Sequence, residues 1–181
     1  MNKKALLVVD MVKEYVYGKR PLIPIEKREE LILNIKKVVE LAHEKDIPVI
    51  YVNTTFLGNE PILKVIGKKY QAMKGSEGSK LIPELKVLEK DYIVEKRGYD
   101  GFWKSELERL LKELEIRDIY LAGCQTDCCV RETGVTAAHL GFNVYIIEDC
   151  CSSSRRLGHE AAIEFMRSCV GRVINSKDLD W

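Results

Sequence analysis

The chain's 181 residues suffice to bury a core within one domain, and 46% hydrophobic content is that of an ordinary globular protein rather than a disordered one. With 29 Lys and Arg against 28 Asp and Glu, the formal charge is only +1, which argues against nucleic-acid or membrane-surface binding driven by bulk charge. The first apolar run stops at Asp10 after five residues, too few for a secretory signal, and no stretch nears the ~18 apolar residues of a membrane span. The expectation is a soluble cytoplasmic protein with no nucleic-acid or membrane partner.

In chain order, "ALLVV" (5–9) reads as a strand ending at Asp10. A mixed segment, 11–25, precedes a helical period over 26–45 that sets Leu31, Ile35, Val38, Val39 and Ala42 on one face. "PVIYVN" (48–53) is the second strand. A long connection, 54–90, follows, with Gly75, Gly78 and Pro83, of the kind that forms a lid or pocket wall. "YIVEK" (92–96) is a third strand, closed by Lys96, and 102–115 repeats leucines at helical spacing. "IYLAG" (119–123), a helix over 128–140 stopped by Gly141, "VYII" (144–147), a helix over 157–168 and "RVIN" (172–175) complete the pattern. This alternation predicts a single domain over 1–181: a three-layer, doubly wound α/β fold with a mostly parallel sheet of about six strands.

In such sheets ligands sit beyond the carboxyl ends of the strands. Asp10 follows the first strand and Lys96 ends the third. Cys129 lies just past the fourth, in what reads as the first turn of a helix. A thiol there, with a lysine nearby, is expected to be biased toward its thiolate. A carboxylate can take the thiol proton and return it to a leaving amine. Each residue has a plainer reading as well: a turn aspartate, a surface lysine, a packed cysteine. The stretch "LAGCQTDCCVR" (121–131) holds Cys124, Cys128 and Cys129, and metal ligation, a disulfide, packing and nucleophilic catalysis compete to explain it. Adjacent cysteines rarely bridge. The six cysteines (124, 128, 129, 150, 151 and 169) do not form the spread framework of a small secreted fold.

Three motifs in order resemble the isochorismatase-like cysteine hydrolases, which include nicotinamidases and N-carbamoylsarcosine amidases. They are "LLVVDM", "EKRGYDGF" followed by "SEL", and "AGCQTDCCVRETGVTAAHLGFNVYIIEDC". The resemblance covers nearly the whole chain. It implies Asp10, Lys96 and Cys129 as the catalytic set, with Cys128 at a variable position. It also implies a non-proline cis peptide between Cys124 and Gln125, and an oxyanion hole from the backbone N–H groups of Gln125 and Cys129. Val12, Asp100 and Gln125 depart from the family pattern. Further expected substrate contacts are Tyr15, Phe56, Tyr99, Trp103 and either Arg155 or Arg156, the arginine pairing with a substrate carboxylate.

Nicotinamidases of this family hold a divalent ion through an Asp-x-His pair after the second strand, where this chain has Thr54 and Phe56. Its histidines, His43, His139 and His159, are widely spaced, and no second ligand pair stands at zinc spacing. No metal or other cofactor is expected. The reading is a metal-independent cysteine hydrolase of a small amide or N-carbamoyl compound, by resemblance a homo-oligomer. Alternatives are vinyl ether hydrolysis of the isochorismatase type, nicotinamidase activity, and a non-catalytic scaffold of the same fold.

Overall fold

The structure, a computed structural model, describes residues 3–67 and 72–181. Its six strands are β1 (Lys3–Val9), β2 (Val49–Thr54), β3 (Tyr92–Lys96), β4 (Ile116–Cys124), β5 (Asn143–Ser152) and β6 (Arg172–Ile174). They form one sheet in the order β3-β2-β1-β4-β5-β6, with every neighbouring pair parallel. β1, β2 and β4 are almost wholly buried, which explains why they read as unbroken apolar runs and not as alternation.

Helices cover both faces. On one lie α1 (Lys13–Tyr17) and α2 (Ile25–Glu44), whose Tyr15, Val16, Leu31, Ile35, Val38 and Val39 pack on Leu6, Val8, Tyr51 and Ala122. A short α3 (Leu63–Ile66) lies in the long connection. On the other face, α4 (Leu107–Glu113), α5 (Arg131–His139) and α6 (Arg156–Cys169) bury Leu107, Leu111, Ala137, Ile163 and Met166 against Leu7, Val9, Ile50 and Leu121. This is the expected three-layer fold, with parallel pairing throughout. No described helix is long and apolar enough to cross a membrane.

Two helices differ from their sequence patterns. The helical period over 102–115 yields a helix only from Leu107, because side chains turn the preceding residues. Asp100 Oδ1 accepts the Phe102 N–H, and the Ser105 hydroxyl both donates to the Gly101 carbonyl and accepts the Leu107 N–H. The helix expected from 128 begins at Arg131. Before it, Thr126–Val130 form one π-helical turn in which the Gln125 carbonyl accepts the N–H groups of both Cys128 and Val130, at 3.1 Å each.

The strand order reverses between β1 and β4, so the crossovers leave β1 in opposite directions and open a crevice at their carboxyl ends. Gly123 lets β4 close there. Its φ of 118° lies in the left-handed half of backbone space, and a Cβ would stand 2.0 Å from the Val9 carbonyl oxygen. The long connection docks beside the crevice through backbone bonds from Lys13 to Lys80 and from Ile82 to Met11.

Candidate active site

Three adjacent strands deliver a buried acid, hydroxyl and ammonium to this crevice. Asp10 follows β1 with φ of 55°, a left-handed conformation that aspartate tolerates better than most residues. Thr54 and Lys96 are register partners at the ends of β2 and β3. Asp10 is 1% exposed, Thr54 2% and Lys96 0%. Lys96 Nζ donates to Asp10 Oδ2 at 2.8 Å, to the Gly98 carbonyl at 2.8 Å and to Thr54 Oγ1. Thr54 itself donates twice to Asp10, through its N–H to Oδ1 at 2.6 Å and its hydroxyl to Oδ2 at 3.0 Å. A lysine so deeply buried is tolerable only because it is paired and its protons are used.

The thiol comes from the other side of the crevice. Cys129 sits in the π-turn, buried, and faces the pair. The peptide between Cys124 and Gln125 is cis, and the Cys124 thiol donates to the Asp10 carbonyl at 3.3 Å. The Gln125 side chain donates to the Leu22 carbonyl and to Ser154 Oγ, at 3.3 and 3.0 Å.

The electrostatics modify one expectation. Burial opposes the charged form of Lys96, but the Asp10 carboxylate and the nearby Cys129 sulfur outweigh it and raise the lysine's pKa. Cys129 is pushed well above an ordinary thiol by its hydrogen bond to Cys128, by burial and by Asp10, with Lys96 pulling the other way and losing. Cys128 is correspondingly lowered, chiefly by that same bond. Burial and the Asp10 charge thus work against the thiolate that a position at a helix start favours.

A cavity of about 340 Å³ opens over these groups. Tyr15, Leu22, Phe56, Ile66 and Tyr99 form its apolar walls, and Gln125, Ser154 and Arg155 one polar side. Of the residues singled out in the sequence, Tyr15, Phe56, Tyr99, Gln125, Cys129 and Arg155 thus converge. Trp103 does not: it is 57% exposed and lines a neighbouring cavity with Pro61 and Ile62. Arg156 points away as well, paired at 4.0 Å with Glu160 one helical turn on. Arg155 is held by Asp127, whose Oδ2 lies 2.9 Å from its Nη2 and whose Oδ1 accepts the Ser153 hydroxyl. Asp100 faces α5, accepting the Thr136 hydroxyl, and is spent on structure.

Among the described residues no group of three or more His, Cys, Asp and Glu converges as metal ligands would. Thr54 is committed to Asp10 and Lys96, and Phe56 is a buried cavity wall. The residues at these positions do not fit a divalent ion. All six cysteines are free.

A sheet of this order, with an acid, a lysine and a thiol at its switch point, defines an α/β hydrolase architecture, and residues 4–178 match the isochorismatase domain model. The chain belongs to the isochorismatase family and is a hydrolase of that family. It superposes on the crystal structure of N-carbamoylsarcosine amidase from Thermoplasma acidophilum with a TM-score of 0.89, at 27% identity over 99% of each chain. An isochorismatase-like hydrolase from Alkaliphilus metalliredigens gives 0.88 at 31% identity, covering 97% of this chain and 96% of that one. Ureidoacrylate amidohydrolase RutB from Acinetobacter baylyi is 27% identical over 97% of this chain and 82% of its own length.

Thr54 entered the sequence reading only as the residue standing where nicotinamidases carry a metal-binding aspartate; its bonding to Asp10 and Lys96 depends on the register of β2 against β3.

Proposed function

We propose that the protein is a cysteine-dependent hydrolase of small amides, taking a carboxamide or N-carbamoyl compound through a thioester. The observation that carries this reading is the buried Asp10–Lys96 pair, 2.8 Å apart, set beside a buried thiol at a small cavity. Asp10 accepts the Cys129 proton as the sulfur attacks the carbonyl carbon. The N–H groups of Gln125 and Cys129 hold the oxyanion, and Lys96 balances the charge on the Asp10 side. The tetrahedral species expels ammonia with the proton from Asp10. Water, deprotonated by the same carboxylate, then cleaves the thioester and restores the thiol.

Two of the relatives above are named as an amidase and an amidohydrolase, which supports a C–N bond as the target. The cavity agrees in size and polarity. Its apolar walls suit a compact substrate, and Arg155, held by Asp127, offers a guanidinium for a carboxylate at the far end. A homo-oligomeric state belongs to the same proposal, and sedimentation velocity checks it directly.

The test is ammonia release from purified protein against a panel of primary amides and ureido acids. Turnover should vanish in Cys129→Ala with the fold intact, and wild-type protein quenched during turnover should carry an acyl adduct on Cys129. If the wild type releases no ammonia but cleaves a vinyl ether substrate, and Cys129→Ala retains most of that cleavage, the chemistry is acid-driven vinyl ether hydrolysis. Inertness of the wild type toward amides and vinyl ethers alike would leave a non-catalytic scaffold.

A further inference from the structure

Thr54 touches both charged members of the candidate set while lining the same cavity. We propose that Thr54 is a positioning residue for the hydrolysis: it ties down both carboxylate oxygens of Asp10 and reserves Oδ1 as the atom that takes the Cys129 proton. This rests on the cysteine-hydrolase reading above and adds to it the identity of the accepting atom.

The two carboxylate oxygens of Asp10 receive different numbers of donors. Oδ2 receives the Lys96 ammonium at 2.8 Å and the Thr54 hydroxyl at 3.0 Å, so both of its lone pairs are in use. Among the described residues Oδ1 receives only the Thr54 N–H, at 2.6 Å, which leaves one lone pair for a proton. The hydroxyl also accepts from Lys96, whose remaining protons go to Asp10 and Gly98. Thr54 therefore stops the ammonium and the carboxylate from rotating about one another. In the proton step the Cys129 S–H bond breaks and the Oδ1–H bond forms, while the sulfur electrons go to the substrate carbonyl.

The groups that bear on the Asp10 charge are Lys96 from β3, Tyr15 from α1, Cys124 from β4, and Cys128 and Cys129 from the π-turn. Of these only Lys96 is cationic, so the donated hydrogen bonds from Thr54 do much of the work of satisfying the buried carboxylate. Removing the threonine hydroxyl withdraws one of the two donors to Oδ2. The acid side of the pH–rate profile should then move to higher pH.

The experiment uses p-nitrophenyl acetate as acylating probe and compares wild type, Thr54→Val, Thr54→Ser and Cys129→Ala. Thr54→Val should move the acid limb of kcat/KM up by about one pH unit and lower kcat at neutral pH about tenfold, with KM unchanged. Thr54→Ser, which keeps the hydroxyl, should return the limb to its wild-type place. Should the buried valine methyl prevent folding, Thr54→Ala carries the same expectation. An unmoved limb in Thr54→Val, or an equal displacement in Thr54→Ser, overturns the role of Thr54 while leaving the thiol chemistry standing. Persistence of the nitrophenol burst in Cys129→Ala made in a Cys128→Ser background, where the neighbouring thiol cannot take the acetyl group, overturns the cysteine-hydrolase reading, and this inference with it.

Discussion

The two halves of the crevice are built by different means. The acid–lysine half comes from the ends of three adjacent parallel strands, and its geometry follows from register: Thr54 opposite Lys96, and the Asp10 N–H on the Val52 carbonyl at 3.0 Å. The thiol half is a π-turn beyond β4, steadied by side chains from elsewhere. His159 Nδ1 lies 2.8 Å from Thr126 Oγ1, Ser153 and Arg155 clasp Asp127, and the Thr133 hydroxyl donates to the Cys129 carbonyl at 2.6 Å. One half is held by backbone and buried charge, the other by single side-chain contacts. Damage should therefore be costly to stability in the first and local in the second.

Lys96→Met gives the sharpest contrast and the largest expected effect. It leaves Asp10 as a buried carboxylate without its cation, a loss of about 3–5 kcal/mol when one partner of such a pair is removed. Urea unfolding should show it, and the double variant with Asp10→Asn should recover much of the stability but no turnover. If Lys96→Met unfolds like wild type, the pair is not the structural element described above.

Gly158→Ala probes the other half and should cost less, about 1–3 kcal/mol. A Cβ there would lie 2.1 Å from Asp127 Oδ2, and the carboxylate could yield only by leaving Ser153 and Arg155. Arg155 would then lose its anchor, so KM for an anionic amide should rise more than KM for a neutral one. Equal changes for both would separate Arg155 from substrate recognition.

The same division explains what could be read beforehand. Asp10 and Lys96 were legible because each interrupts an apolar strand where ligands gather, and the sheet follows from the alternation of runs and helical periods. The π-turn was not, since five residues of altered winding leave no trace in a pattern of period 3.6. Nor was Thr54, whose role needs the pairing of two strands 42 residues apart. Trp103 and Arg156 were misplaced for a simpler reason. Chain proximity to Tyr99 and Arg155 does not carry over to the cavity wall, because a turn at 100–106 and the start of α6 point neighbouring side chains in different directions.

Next in size is the ionisation of the thiol. The hydrogen bond to Cys128, burial and the Asp10 charge all raise the Cys129 pKa, so iodoacetamide should alkylate it slowly at pH 7 and faster as pH rises past the ordinary thiol range. Asp10→Asn removes a neighbouring negative charge and should bring that rise to lower pH even as it abolishes turnover. Peptide mass spectrometry must resolve the two adjacent sites, because Cys128 is more exposed and its pKa is lowered. Alkylation of Cys129 with a limb at or below the ordinary thiol value would mean that Lys96 dominates after all.

The smallest effect is expected at His159. Burial, aided by Lys27, lowers its pKa, so folding favours the neutral ring and the unfolded chain binds the proton more readily. Its contribution to stability is then fully present above the unfolded value of about 6.5 and is lost as pH falls toward the folded pKa. The ring is only half-buried, and solvent screening keeps the expected slope shallow. His159→Gln retains a side chain able to reach Thr126 Oγ1 but cannot titrate, so its melting temperature should fall less steeply below pH 6.5 than that of wild type. A steeper fall would mean that the protonated ring is the form held against Thr126, and that the thiol half is fastened by charge as the other half is.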